Sequence, residues 1–158
     1  MESQIKTILV PVDFSEYSKQ ALKYAYCMAK DYQAKLFILY VIEPVVYPAD
    51  FSMGQFALPS IDSEISIKAS EELESLAKDE LGCDINCTTL VKIGKPFVEI
   101  NETASEIDAD LIIIASHGHT GVEHILFGST AEKVVRKAPC PVLTLRSPLK
   151  GFKYKGEQ

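Results

Sequence analysis

Ala115-Ser116-His117-Gly118, nine intervening residues and then Gly128-Ser129-Thr130 follow directly on the apolar run Leu111-Ile112-Ile113-Ile114. These residue types suit the binding of an anion. Glycine lets backbone amides come close to a ligand, and the hydroxyl residues open a helix whose first N–H groups lack internal partners and carry a partial positive charge. A strand, a glycine-punctuated loop and a helix start, in that order, make an anion site, most often for phosphate. The segment is not a Walker A loop, because it has no Gly-Lys-Ser/Thr, and it is not a Gly-x-Gly-x-x-Gly turn either.

Each of these residues also has a plainer reading. Ser129 with Glu132 spells Ser-x-x-Glu, a capping box that would only start a helix. Gly118 and Gly128 could be turn glycines, and Asp13 could cap or shape the turn into the first helix. His117, His119 and His124 are spaced His-x-His-x4-His, which matches no zinc pattern, so they read as loop histidines beside a phosphate site. A magnesium ion carried by phosphates takes one or two carboxylates, for which Asp13 is the candidate. Lys92 and Lys95 either edge the same cleft or form an exposed face.

The elements that position these residues follow from hydropathy. Apolar strands are expected over residues 5–12, 36–42, 85–91, 111–115 and 142–145. Between them run helical stripes. Tyr17, Ala21, Ala25, Met28 and Tyr32 follow Ser15, a suitable N-cap. Ile65, Ala69, Leu73, Leu76 and Leu81 form a second stripe. Phe97, Ile100, Ala104 and Ile107 form a third, opened by Pro96. Ala131, Val134 and Val135 form a fourth, which stops before Pro139. Strands alternating with helices specify an α/β domain with a parallel sheet and helices on both faces.

Strand composition orders the sheet. The first and fourth strands are apolar on both faces and belong at the centre, whereas the third alternates like a half-exposed edge. With right-handed crossovers the order is 3-2-1-4-5, a doubly wound sheet. Ligands of such sheets sit outside the C-terminal strand ends at the switch point, here between strands 1 and 4. The loops Asp13-Phe14-Ser15 and 115–118 meet there.

Bulk properties narrow the function. At 158 residues the chain reads as a domain over 1–146 and a flexible tail over 147–158. The stretch 43–60, with Pro44, Pro48 and Pro59, is long for a connection and is expected to be either functional or disordered. A net charge of −6 speaks against a nucleic-acid partner. No apolar run has membrane-spanning length, and residues 1–10 lack signal-peptide features, which points to the cytoplasm. Cys27, Cys83, Cys87 and Cys140 fit no redox or zinc spacing and read as reduced thiols. The fifth strand, Val142–Leu145, is apolar at a sheet edge. It is expected to pair in a twofold homodimer unless the tail covers it.

The motif Ala115-x2-Gly118-x9-Gly128-Ser129 resembles the Gly-x2-Gly-x9-Gly-Ser/Thr signature of the universal stress protein family, with alanine at the first glycine. The opening ILVPVDFSEYSKQAL, the Lys92-x-Gly94-x-Pro96 segment and the closing APCPVLTLR extend the resemblance over about residues 5–146. It implies a five-stranded fold of order 3-2-1-4-5, dimers paired partly through the last strands, and ATP or AMP as ligand in one branch. A second branch lacks the glycines and binds no ATP. Carried over, the resemblance implies nucleotide contacts from Pro11, Val12 and Asp13 at the end of the first strand. Asp13 would meet adenine or ribose, and the backbone of Val41 the adenine edge. Ala115, His117, Gly118 and His119 would lie along ribose and phosphates, with Gly128, Ser129 and Thr130 on the phosphate oxygens. A methyl group at Ala115 costs about 1 kcal/mol if the position needs a left-handed backbone, and otherwise only crowds the ribose.

The leading expectation is a nucleotide-dependent regulatory protein of the stress response. Two alternatives stand beside it: a slow ATPase or phosphotransferase, and a dimeric interaction protein without nucleotide. Arg136 and Arg146, the only arginines, lie downstream of the motif, which leaves no evident clamp for a γ-phosphoryl group.

Overall fold

Five strands and four helices alternate along the chain in the computed structural model, which describes residues 5–44, 59–82, 86–117 and 127–146. They are β1 (Thr7–Val12), α1 (Glu16–Tyr32), β2 (Lys35–Ile42), α2 (Pro59–Leu81), β3 (Cys87–Ile93), α3 (Pro96–Glu106), β4 (Leu111–Ala115), α4 (Ser129–Lys137) and β5 (Val142–Leu145). The sheet is parallel throughout and ordered β3-β2-β1-β4-β5, as the strand compositions require. β1 begins at Thr7 because the Asp110 carboxylate accepts the N–H groups of Lys6 at 2.8 Å and Thr7 at 2.9 Å. β3 lies two residues later than its apolar pattern suggests. Its register is set by β2, with Leu36 opposite Cys87 and Ile42 opposite Ile93. The long connection is described only at its ends, and the tail 147–158, Cys83 and residues 118–126 lie outside the described residues.

The period of two along each strand divides the core into two layers. Ile8, Val10 and Val12 of β1 and Leu111 and Ile113 of β4 pack with Leu22 and Ala25 of α1 and Leu73 of α2. Leu9, Ile112 and Ile114 point to the other face, against Ile100 and Ala104 of α3 and Ala131 and Val134 of α4. Each large side chain removed from water here contributes roughly 1.5–3 kcal/mol. Three residues of the apolar stripes depart from this pattern: Ile65 and Val135 are each 46 % exposed and Tyr32 is 44 % exposed. No helix among the described residues is long and apolar enough to cross a membrane.

Ser15 caps α1 as its type suggests. Its hydroxyl accepts the Ser18 N–H at 3.2 Å and donates to Asp13 Oδ1. Ser15→Ala removes both bonds from a buried position and is expected to lower unfolding stability by about 1–2 kcal/mol, read by urea denaturation.

Candidate functional site

Because α1 and α2 cover one face and α3 and α4 the other, the chain leaves β1 and β4 in opposite directions. A cleft opens at their C-terminal ends. Its volume is about 600 Å³. Pro11, Val12 and Asp13 border it from the end of β1, Val41 from β2, Ala115 and His117 from the end of β4, and Gly128, Ser129 and Thr130 from the start of α4. Nine of the residues singled out from sequence therefore share one cavity. Gly118 and His119, the remaining two, lie outside the described residues, as do His124 and the spacing of the histidine triplet.

The turn out of β1 is built around Asp13. Its Oδ1 accepts the N–H of Ser15 at 3.0 Å together with the Ser15 hydroxyl, while its own N–H donates to Ser18 Oγ at 3.2 Å. Asp13 thus shapes the turn, and the cap of α1 is Ser15. Phe14 follows with φ of 63°, a left-handed backbone that costs a side-chain-bearing residue about 1 kcal/mol or more. Its ring packs edge-on against Tyr40, with centroids 4.8 Å apart. Phe14, Ser18, Tyr40, Glu43 and Ile100 all line the cleft, and sequence reasoning does not single them out as site residues. Phe14 at least adjoins Asp13, whereas Tyr40 and Val41 face opposite layers until the strand ends and both reach the opening.

At the other wall, the Gly128 N–H donates to the Ser116 carbonyl at 2.7 Å and ties the start of α4 to the end of β4. Gly128 itself is the N-cap of α4, with φ of −66°. Its carbonyl accepts the Glu132 N–H at 3.0 Å, the first bond of the helix. The capping-box reading of Ser129 is thereby corrected: Ser129 is the first helical residue, and the cap has no side-chain bond. The amides of Ser129, Thr130 and Ala131 precede any acceptor within the helix, and all three residues border the cleft. Glycine at 128 serves close approach, not an unusual dihedral. A Cβ there would stand 3.2 Å from the Ser116 oxygen. Ala115 closes β4 opposite Leu145 and does not take a left-handed backbone, so its methyl group carries no conformational strain. The Ser116 hydroxyl and His117 Nδ1 are 2.9 Å apart, and the His117 ring faces Tyr17 with centroids separated by 6.0 Å.

The described cleft lining contains two carboxylates, Asp13 and Glu43, and no lysine or arginine. Lys92 instead pairs with Glu106 at 3.0 Å, and Lys95 precedes α3 as its cap. Burial, and then the nearby carboxylates Glu72, Asp13 and Glu43, push the Tyr40 hydroxyl above its ordinary pKa. Burial likewise raises the thiols of Cys87 and Cys140; these and Cys27 are unbridged. An anion in the cleft would meet the amides and hydroxyls at the start of α4, and a hard cation would meet Asp13 and Glu43.

Comparison with known proteins agrees with this architecture. The chain matches the universal stress protein family over residues 4–146. It is 35 % identical over 151 residues to universal stress protein MJ0531 of Methanocaldococcus jannaschii, covering 94 % of this chain and 86 % of that one. Universal stress protein UspA from Lactobacillus plantarum superposes with a TM-score of 0.74 at 28 % identity, covering 90 % of this chain and 99 % of that one. A universal stress protein solved in complex with cAMP shares the fold at a TM-score of 0.62 and 24 % identity, over 90 % of this chain and 97 % of that one. With its fold, strand order and family match in agreement, the chain belongs to the universal stress protein family.

Proposed function

We propose that the chain binds an adenine nucleotide, ATP or AMP, in the cleft between the ends of β1 and β4. The observation that carries this reading is the convergence of the α4 N-terminus with the ends of β1, β2 and β4 on one cavity of about 600 Å³. That volume lies within the range of roughly 300–1,000 Å³ common for small-molecule sites. Phosphate oxygens meet the amides of Ser129 and Thr130 and their hydroxyls. Gly128 keeps that helix start bare, and Ala115, His117, Gly118 and His119 line the path toward the ribose. Pro11, Val12 and Asp13 flank the ribose, and Val41 offers backbone groups to the base. Mg2+, when carried by the phosphates, takes Asp13 as its protein ligand. A cAMP complex of a protein with this fold is in keeping with an adenine ligand here.

Without an arginine or lysine among the described lining residues, the cleft supports binding better than phosphoryl transfer. Nucleotide occupancy acts as a regulatory signal in the cytoplasm by favouring one conformation over another. The chain works as a homodimer in which β5, paired among the described residues with β4 alone, joins its twofold mate along Val142–Leu145. Calorimetric titration of the purified chain with ATP and AMP is expected to give saturable binding at one site per chain. Light scattering is expected to give twice the 17.5 kDa chain mass. Flat titrations, with no adenine nucleotide released on denaturation, would exclude the ligand; a monomer mass would exclude the dimer.

A further inference from the structure

Beyond nucleotide binding, and without resting on it, we propose that Ser116 and His117 form a nucleophile–base pair that hydrolyses small activated carboxylic esters in the cleft by way of an acyl-serine. The two side chains meet at the end of β4. Ser116 Oγ stands 2.9 Å from His117 Nδ1, within the reach that proton transfer from a hydroxyl to a base requires. Both residues line the cleft. Ser116 is 3 % exposed, and both of its backbone groups are fixed. Its N–H donates to the Leu145 carbonyl at 2.9 Å, and its carbonyl accepts the Gly128 N–H at 2.7 Å. The His117 ring lies against the Tyr17 ring, tilted by 41°. β5, α4 and α1 therefore hold the pair from three sides, which gives an otherwise local Ser–His contact the rigid frame a nucleophile needs.

The same part of the cleft carries donors for a developing oxyanion. A Cβ on Gly128 would stand 3.2 Å from the Ser116 oxygen and 3.8 Å from the His117 Cα, so the start of α4 lies directly on the pair. The amides of Ser129 and Thr130 follow at once along the cleft wall and precede any acceptor within the helix. Acyl transfer asks for such amides and not for the cationic clamp of phosphoryl transfer. In the first step Ser116 Oγ bonds to the carbonyl carbon and its proton passes to His117 Nδ1. The carbonyl oxygen, now negative, rests on the α4 amides. The carbon–oxygen bond to the alcohol then breaks, and the imidazolium returns the proton to the departing oxygen. Water repeats the sequence on the acyl-serine, giving its proton to Nδ1 and its oxygen to the carbon, and Ser116 leaves with the proton. Ester and water become acid and alcohol, and the site is restored.

The probe is p-nitrophenyl acetate, given to the full chain, with nitrophenolate release followed by absorbance and acid-quenched protein mapped by mass spectrometry. The native chain is expected to hydrolyse the ester with saturation and to carry an acetyl group on Ser116. Ser116→Ala and His117→Gln, the latter keeping a hydrogen bond but accepting no proton, are each expected to lower saturable hydrolysis about 100-fold. Far-UV circular dichroism reports the fold of both variants. A Ser116→Ala protein that turns over at the native rate overturns the proposal, because the acetyl groups then sit on lysines or the amino terminus. Native turnover in His117→Gln overturns it as well, since the serine would have no base. Should a variant fail to fold, the map of the native chain decides: acetyl on Ser116 upholds the site and its absence overturns it. Nucleotide titrations do not enter this assay, so either reading can fail while the other stands.

Discussion

Gly128→Val is expected to lower nucleotide affinity at least about 100-fold, close to 3 kcal/mol of binding free energy, with the protein still folded. The backbone of Gly128, at φ of −66°, is one that valine adopts without strain, so the effect is steric. The new Cβ stands 3.2 Å from the Ser116 oxygen, and the branch beyond it has to occupy either the β4–α4 junction or the space in front of the Ser129 and Thr130 amides. The first choice displaces the helix start and the second fills the phosphate position. Gly128→Ala has no branch and asks its neighbour to give only a few tenths of an ångström, so its loss is expected to be smaller. Calorimetric titration with ATP checks the series, with far-UV circular dichroism reporting the fold. Native affinity in the valine variant would mean that phosphate does not rest on α4.

The fold was legible in the sequence wherever burial alone decides structure. β4 and β5 have the bounds that their apolar residues suggest, because Leu111–Ala115 is buried on both faces and β5 starts directly after Pro141. The strand order followed from the same compositions, since only a central strand can be apolar on both sides. Tertiary contacts decided the rest. β3 took its register from β2 instead of from its own apolar run. Val135 and Ile65 fit a helical period yet lie on solvent-facing sides that no local pattern identifies. Ser129 lost the cap position to Gly128 because the Ser116 carbonyl holds the glycine N–H across the loop. The cleft was legible from its β1 and β4 sides, where glycines and hydroxyls mark backbone approach. Tyr40 and Glu43 join it from β2 by strand order, and Phe14 does so by a left-handed turn; neither cause leaves a signature in residue type.

Ile112→Ala is expected to remove about 2–5 kcal/mol of stability, a large part of the 5–15 kcal/mol typical of a domain. Ile112 is fully buried on the α3–α4 face, paired with Leu9 on one side and Val142 on the other, and its N–H donates to the Pro141 carbonyl at 3.0 Å. Truncation leaves a cavity between backbone-locked strands, which collapse poorly around it. The melting temperature is expected to fall on the order of 10 °C, whereas Val135→Ala on exposed α4 surface should change stability by less than about 0.5 kcal/mol. Ligand linkage ties this loss to the cleft. ATP at about 100 times its dissociation constant adds about 2.7 kcal/mol to any variant that still binds it. Ile112 lies within the strand and does not line the cleft, so nucleotide should restore much of the lost melting temperature in Ile112→Ala. In Gly128→Val, with affinity about 100-fold weaker, the same ATP should add no more than about 0.4 kcal/mol. Calorimetric melts of both variants with and without ATP separate the two cases, and ATP that stabilises Gly128→Val as strongly as Ile112→Ala would place the ligand elsewhere on the molecule.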